Sequence, residues 1–219
     1  MIPIRDDNPR RIFPIVTLGI VILNVVIFVY QITMQGSSAR EFFLEFGAVP
    51  ALIIQGQNLH AIFSSMFLHG GLMHLLGNML YLWIFGDNIE SLCGHLRFIA
   101  FYLICGIIAF LSHFALEPTS QVPIVGASGA ISGVLGAYAI RFPRASVHVL
   151  IPLFPIVWLW RVVRAPAALA LGVWFALQIF SAILSGPTGV AWWAHIGGFI
   201  AGVVLIRFFE KSRYKVYYH

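Results

Sequence analysis

Six uncharged runs constrain this sequence more than any other feature: Ile12 to Thr33, Met66 to Phe85, Phe98 to Leu116, Ile124 to Ile140, Ala165 to Ser185 and Gly189 to Ile206. Each is close to the roughly 20 residues that a helix needs to cross about 30 Å of hydrocarbon. Lipid offers a backbone amide no water to bond, so chains that enter it must satisfy their amides internally, as helices do. A soluble fold of 219 residues with 60% hydrophobic and 10% charged side chains would expose far too much apolar surface. The chain therefore reads as one all-α polytopic membrane domain over residues 1–219. The first run follows Arg10 and Arg11, lacks a small-residue cleavage pattern and reads as a retained span. Cys93 and Cys105 lie in or beside apolar runs, in no CxxC or disulfide pattern.

A seventh apolar run, Ala145 to Trp160, contains Pro152 and Pro155 and is bracketed by Arg141, Arg144, Arg161 and Arg164. The positive-inside rule decides its status. With six spans and a cytoplasmic N-terminus, Arg5, Arg10, Arg11, Arg97, Arg141, Arg144, Arg161, Arg164, Arg207, Lys211, Arg213 and Lys215 share one side, and only Arg40 faces out. The expected architecture follows. Residues 34–65 form an external loop, 145–160 an interfacial cytoplasmic hairpin anchored by Trp158 and Trp160, and 207–219 a cytoplasmic tail. Both termini are then cytoplasmic in a multi-pass cell membrane protein, as in a bacterial inner membrane or an archaeal plasma membrane. Basic residues at span ends, without interleaved aromatics, argue against nucleic acid as the partner of a chain of net charge +5.

Polar side chains inside such runs are costly and mark function. The second run has His69, His74 and Asn78, the fourth Ser128 and Ser132, and the sixth His195. His113 and His148 read as an interfacial loop residue and a surface anchor. His74 and Asn78, four apart, share a helix face. In a six-span path the second, fourth and sixth spans all run inward. At about 1.5 Å per residue, Ser128 lies roughly 6 Å, His195 roughly 9 Å and His74 roughly 12 Å below the outer ends of their runs. Treating 145–160 as a span would bring His195 in from the opposite face. A serine hydroxyl attacks once a neighbouring base takes its proton, and histidine is the commonest such base. No Asp or Glu lies inside a run, so the expectation is a Ser128/His195 dyad. Glycines flank both residues: Gly126, Gly129, Gly133 and Gly136 in the fourth run, Gly197, Gly198 and Gly202 in the sixth. Small residues at this spacing let helix backbones approach closely in lipid.

Gly126-Ala127-Ser128-Gly129, the His69, His74, Asn78 cluster and Ala194-His195-Ile196-Gly197-Gly198 with Gly202 resemble the rhomboid intramembrane serine proteases. Phe67-Leu68-His69-Gly70-Gly71 and Gly86-Asp87-Asn88-Ile89-Glu90 strengthen the resemblance, which runs from about Phe46 to Ile206. It implies a six-transmembrane-helix rhomboid-like bundle with Ser128 as nucleophile and His195 as general base. His74, Asn78 and the Ser128 amide would line the oxyanion hole. His69, Gly126, Gly129, Ser132 and Gly198 would support the site. Transmembrane segments of other proteins would be its substrates, with no cofactor and no metal. Two positions depart from the family pattern. His60-Ala61 stands where many members carry Trp-Arg, and Ser132 stands where one bacterial branch has a tyrosine beneath the catalytic histidine.

The rival readings are a catalytically silent relative that binds transmembrane clients, and a small transporter. Ser128 and His195 are both present, against the first. The chain has no repeated halves, and its polar residues stop in one half of the membrane, against the second. A zinc protease would need HExxH, which does not occur.

Overall fold

The computed structural model describes residues 2–151, 160–184 and 189–211. In chain order the elements are β1 (Ile2–Asp6), α1 (Ile15–Gln31), three short helices α2 (Gly36–Phe46), α3 (Pro50–Ile53) and α4 (Ala61–Ser64), then α5 (Leu72–Cys93), α6 (His95–Leu116) and α7 (Ser128–Arg141). β2 (Ser146–Ile151), β3 (Arg161–Pro166), α8 (Ala167–Leu184) and α9 (Trp192–Phe209) complete the chain. The result is a polytopic helical membrane bundle. α6, α8 and α9 are long and apolar enough to cross a membrane, and α1 is a shorter apolar helix.

The buried core of the bundle is itself apolar, and helix α1 adds to it an inward stripe that is mostly polar beneath a lipid-facing apolar surface. On α1 the buried positions are Thr17, Asn24, Phe28 and Gln31, one stripe along the helix, while Ile22, Val26 and Val29 are exposed. Gln31 uses its whole amide: Nε2 donates to the His69 carbonyl at 3.0 Å and Oε1 accepts the His69 N–H at 3.1 Å. At the other end of α1, Glu90 accepts from the Val16 N–H at 2.9 Å, the Thr17 N–H at 2.8 Å and the Thr17 hydroxyl at 2.7 Å. Those amides have no partner inside their own helix, and the carboxylate also meets the positive end of the helix dipole. Its Oε1 is 2.6 Å from His95 Nδ1.

Boundaries differ from the expected ones where loop chemistry intervenes. The second helix does not start at Met66, because residues 65–67 make a 3-10 turn and Gly70 and Gly71 follow. It then runs past Phe85 to Cys93, which makes Glu90 a fully buried residue of the helix's last turn. The fourth helix begins at Ser128 instead of Ile124. Gly126 has φ +122, a conformation that breaks a helix, and its N–H donates to the Ser65 carbonyl at 2.9 Å.

A three-stranded antiparallel sheet in the order β1-β2-β3 is the one non-helical layer among the described residues. It takes up the start of the seventh apolar run in β2 and returns in β3 from Arg161 to Pro166, whereas the expected hairpin ended at 160. Val147 and Val149 of β2 are buried. Residues 152–159, with Pro152, Pro155 and Trp158, lie outside the described residues, as do Arg213 and Lys215. His148, expected as a surface anchor, is 5% exposed, with Nε2 2.9 Å from both carboxylate oxygens of Asp7.

Helices α7 and α9 meet backbone to backbone. A Cβ on Gly198 would strike the Gly129 carbonyl, one on Gly202 the Gly133 carbonyl and one on Gly136 the Phe199 carbonyl. Gly129 also faces α6, where a Cβ would come 2.7 Å from that of Ala109. Close approach of this kind maximises packing where lipid supplies no hydrophobic drive.

Candidate active site

Ser128, His195 and His74 all sit in the first turn of their helices, as residue one of α7, four of α9 and three of α5. At about 1.5 Å per residue their offsets from the helix starts span roughly 5 Å. The glycine contact between α7 and α9 brings two of them together: the Ser128 hydroxyl donates to His195 Nε2 at 2.9 Å. The pair opens into a cavity of about 1370 Å³ also lined by His74, Asn78, Gly126 and Gln178. Trp174 and Trp192 flank the imidazole, with ring centroids 6.2 and 5.8 Å from it.

His74 and Asn78 bring hydrogen-bond donors to the same cavity. The Gly70 N–H points at His74 Nδ1 at 3.4 Å, which makes Nδ1 the acceptor and leaves the proton on Nε2. That Nε2 lies against Gly126, where a Cβ would come within 2.7 Å of it and 3.5 Å of Asn78 Nδ2. Asn78 is 8% exposed, and its Nδ2 has no hydrogen-bond partner among the described residues. No side chain caps the N-terminus of α7. Its first amides, Ser128 among them, are therefore unpaired within the helix and carry its positive dipole end.

The supporting residues divide by what they touch. Gly126 must be glycine on two grounds, its positive φ and its contact with His74. Gly129 and Gly198 set the helix separation. The Ser132 hydroxyl donates to the Ser128 carbonyl at 2.7 Å, one turn back along α7, and so acts on the helix backbone beneath the serine. His69 is 1% exposed, with its ring 5.1 Å from that of His74, and its backbone is the part held by Gln31. His113, expected in an interfacial loop, is a buried residue of α6 that lines the cavity, with Nε2 3.7 Å from Glu117. His60 stands 3.5 Å from Glu45, with its ring 5.8 Å from Phe46, tying α2 to the start of α4. No group of three metal-ligating side chains occurs among the described residues.

One residue of the site escaped the sequence reading. Gln178 of α8 is 7% exposed, and its Oε1 lies 2.9 Å from His195 Nδ1. Its signal was present, since it is the one amide side chain in the fifth apolar run.

Residues 56–212 match the family described as Rhomboid domain. The chain is 36% identical over 125 residues to Rhomboid protease GluP of Bacillus subtilis, covering 57% of this chain and 24% of that protein. It is 36% identical over 141 residues to Presenilin-associated rhomboid-like protein A, mitochondrial, of Danio rerio, covering 64% and 34%. With Rhomboid protein 1, mitochondrial, of Saccharomyces cerevisiae it shares 30% identity over 161 residues, covering 69% and 42%. The chain thus spans less than half the length of these relatives.

Proposed function

The chain belongs to the rhomboid family, and from that premise we propose that it is an intramembrane serine endopeptidase cutting transmembrane segments of other membrane proteins. The observation that carries the reading is the 2.9 Å bond from the Ser128 hydroxyl to His195 Nε2 at the wall of a large cavity.

In this mechanism His195 Nε2 takes the Ser128 proton as Oγ attacks the scissile carbonyl carbon. Negative charge moves onto the carbonyl oxygen, which receives hydrogen bonds from His74 Nε2, Asn78 Nδ2 and the Ser128 amide. Such donors favour the transition state because they are already aimed where charge develops. The tetrahedral intermediate collapses, His195 returns its proton to the leaving amine, and an acyl-Ser128 ester remains. Water, deprotonated by His195, then releases the carboxylate product. A helical segment hides its carbonyls in its own hydrogen bonds, so substrates should carry helix-weakening residues near the cut.

The cavity and its serine would face the outer side, with the arginine-rich sheet and both termini on the cytoplasmic side of a cell membrane. That orientation follows the distribution of Arg5, Arg10, Arg11, Arg161 and Arg164.

The test is purified protein in detergent with a fluorescent transmembrane substrate, comparing wild type with Ser128→Ala and His195→Ala. Both variants should lose cleavage. Persistent cleavage in either overturns the assignment, as does a serine-reactive fluorophosphonate that labels a residue other than Ser128.

A further inference from the structure

We propose that Gln178 is a positioning residue that fixes the tautomer and ring orientation of His195, extending the Ser128/His195 pair to a third helix. The inference rests on the reading of Ser128 and His195 as nucleophile and base.

An imidazole can accept the serine proton through Nε2 only if its own proton is on Nδ1, and something must hold it there. Soluble serine proteases use a buried carboxylate for this purpose. Among the described residues no carboxylate is bonded to His195, and its Nδ1 faces Gln178 Oε1 at 2.9 Å. An amide could in principle present either end to the ring. Here the choice is fixed, because Nε2 of Gln178 donates to the Trp174 carbonyl, one turn back in α8, at 3.2 Å. The oxygen is therefore the end turned to His195, and it can only accept. The ring must donate from Nδ1, which leaves the Nε2 lone pair for the Ser128 proton.

The surroundings of Gln178 point the same way. Its neighbours on α8, Leu177, Ile179 and Phe180, are exposed as lipid-facing residues are. The buried positions of α8 are Ala167, Ala170, Leu171 and Gln178, so Gln178 is the one buried side chain in the second half of the helix. An amide inside an apolar helix is costly unless its groups are bonded. Both ends of this one are used, and one of them serves the base. The bond also spans α8 and α9, so the base is held in register only while that half of α8 lies against α9.

The test uses the full chain in detergent with two readouts: cleavage of a fluorogenic transmembrane peptide, and the rate at which a fluorophosphonate modifies Ser128, followed by mass spectrometry. Gln178→Leu keeps the bulk and removes the acceptor. It should lower kcat about 10- to 100-fold while KM stays within about twofold, slow Ser128 modification in parallel and leave the thermal unfolding midpoint in place. Gln178→Glu restores an acceptor oxygen and should recover most of both losses. Wild-type kcat and labelling in Gln178→Leu would overturn the proposal. Equal impairment of the Leu and Glu variants would also overturn it, since packing and not acceptance would then be the requirement. Cleavage that persists in Ser128→Ala, or wild-type protein labelled at a residue other than Ser128, defeats the serine protease reading itself before any Gln178 variant is compared.

Discussion

Gly126 and His74 are packed so closely that a Cβ on the glycine would come 2.7 Å from His74 Nε2. The glycine also holds φ +122, so two independent constraints meet at one position beside the serine. Gly126→Ala should push the imidazole away from its place against residue 126 and strain the backbone by about 1–3 kcal/mol. The expected outcome is a loss of kcat of about a hundredfold or more, read by steady-state cleavage. Wild-type kcat in this variant would mean that His74 does not act from this position.

Asn78 offers a different kind of test, because its Nδ2 is buried with no partner among the described residues. Removing it breaks no bond of the resting protein. Asn78→Ala should therefore lower kcat about 100- to 1000-fold and leave the unfolding midpoint nearly unchanged. A variant that loses stability and activity together would assign Asn78 to helix packing instead.

Glu90 should behave in the opposite way. Its carboxylate satisfies two amides and a hydroxyl at the start of α1, at the end of α5 far from His74. Glu90→Ala leaves those donors buried and unpaired, at a cost of about 3 kcal/mol. Reversible unfolding in mixed micelles should report that loss, while the KM of the remaining folded fraction stays as in wild type.

The sheet carries a pH dependence of its own. Burial pushes the Asp6 carboxyl up from 3.8 to about 7, with the nearby Asp87 charge adding to the effect and the hydrogen bond from the Tyr138 hydroxyl opposing it. The folded protein binds this proton more tightly than the unfolded chain does. Its contribution to stability is therefore fully present below pH 4 and is lost as pH rises through about 7. Unfolding midpoints should fall between pH 5 and pH 8 in wild type and change less in Asp6→Asn, which keeps an acceptor for Tyr138 without the charge.

The bundle was legible in the sequence because lipid imposes a simple rule on composition, and runs such as Phe98 to Leu116 obey it with little ambiguity. Ser128, His195, His74 and Asn78 stood out because each is an expensive side chain in an apolar setting. Helix starts were less legible. They depend on Gly126 and the turn at Ser65–Phe67, whose backbone geometry a hydropathy reading does not see. Gln178 and Gln31 were missed although the same rule of cost applies to amides, since no histidine stands one turn away from either to mark a site, as His74 does for Asn78. The sheet was hidden for another reason: β1 lies before the first span, and its partner β2 lies beyond the fourth.

That last pairing has a consequence for how the chain is made. Residue 2 is made well before its partner, residue 150, so β1 waits unpaired while the four long helices α1, α5, α6 and α7 between them are synthesised. During that interval its edge is open to other chains, a situation in which exposed strands tend to associate wrongly. Arg5 and the acidic pair Asp6 and Asp7 keep the waiting strand charged. Closure of this sheet is then a late signal that the spans before it have been threaded in order.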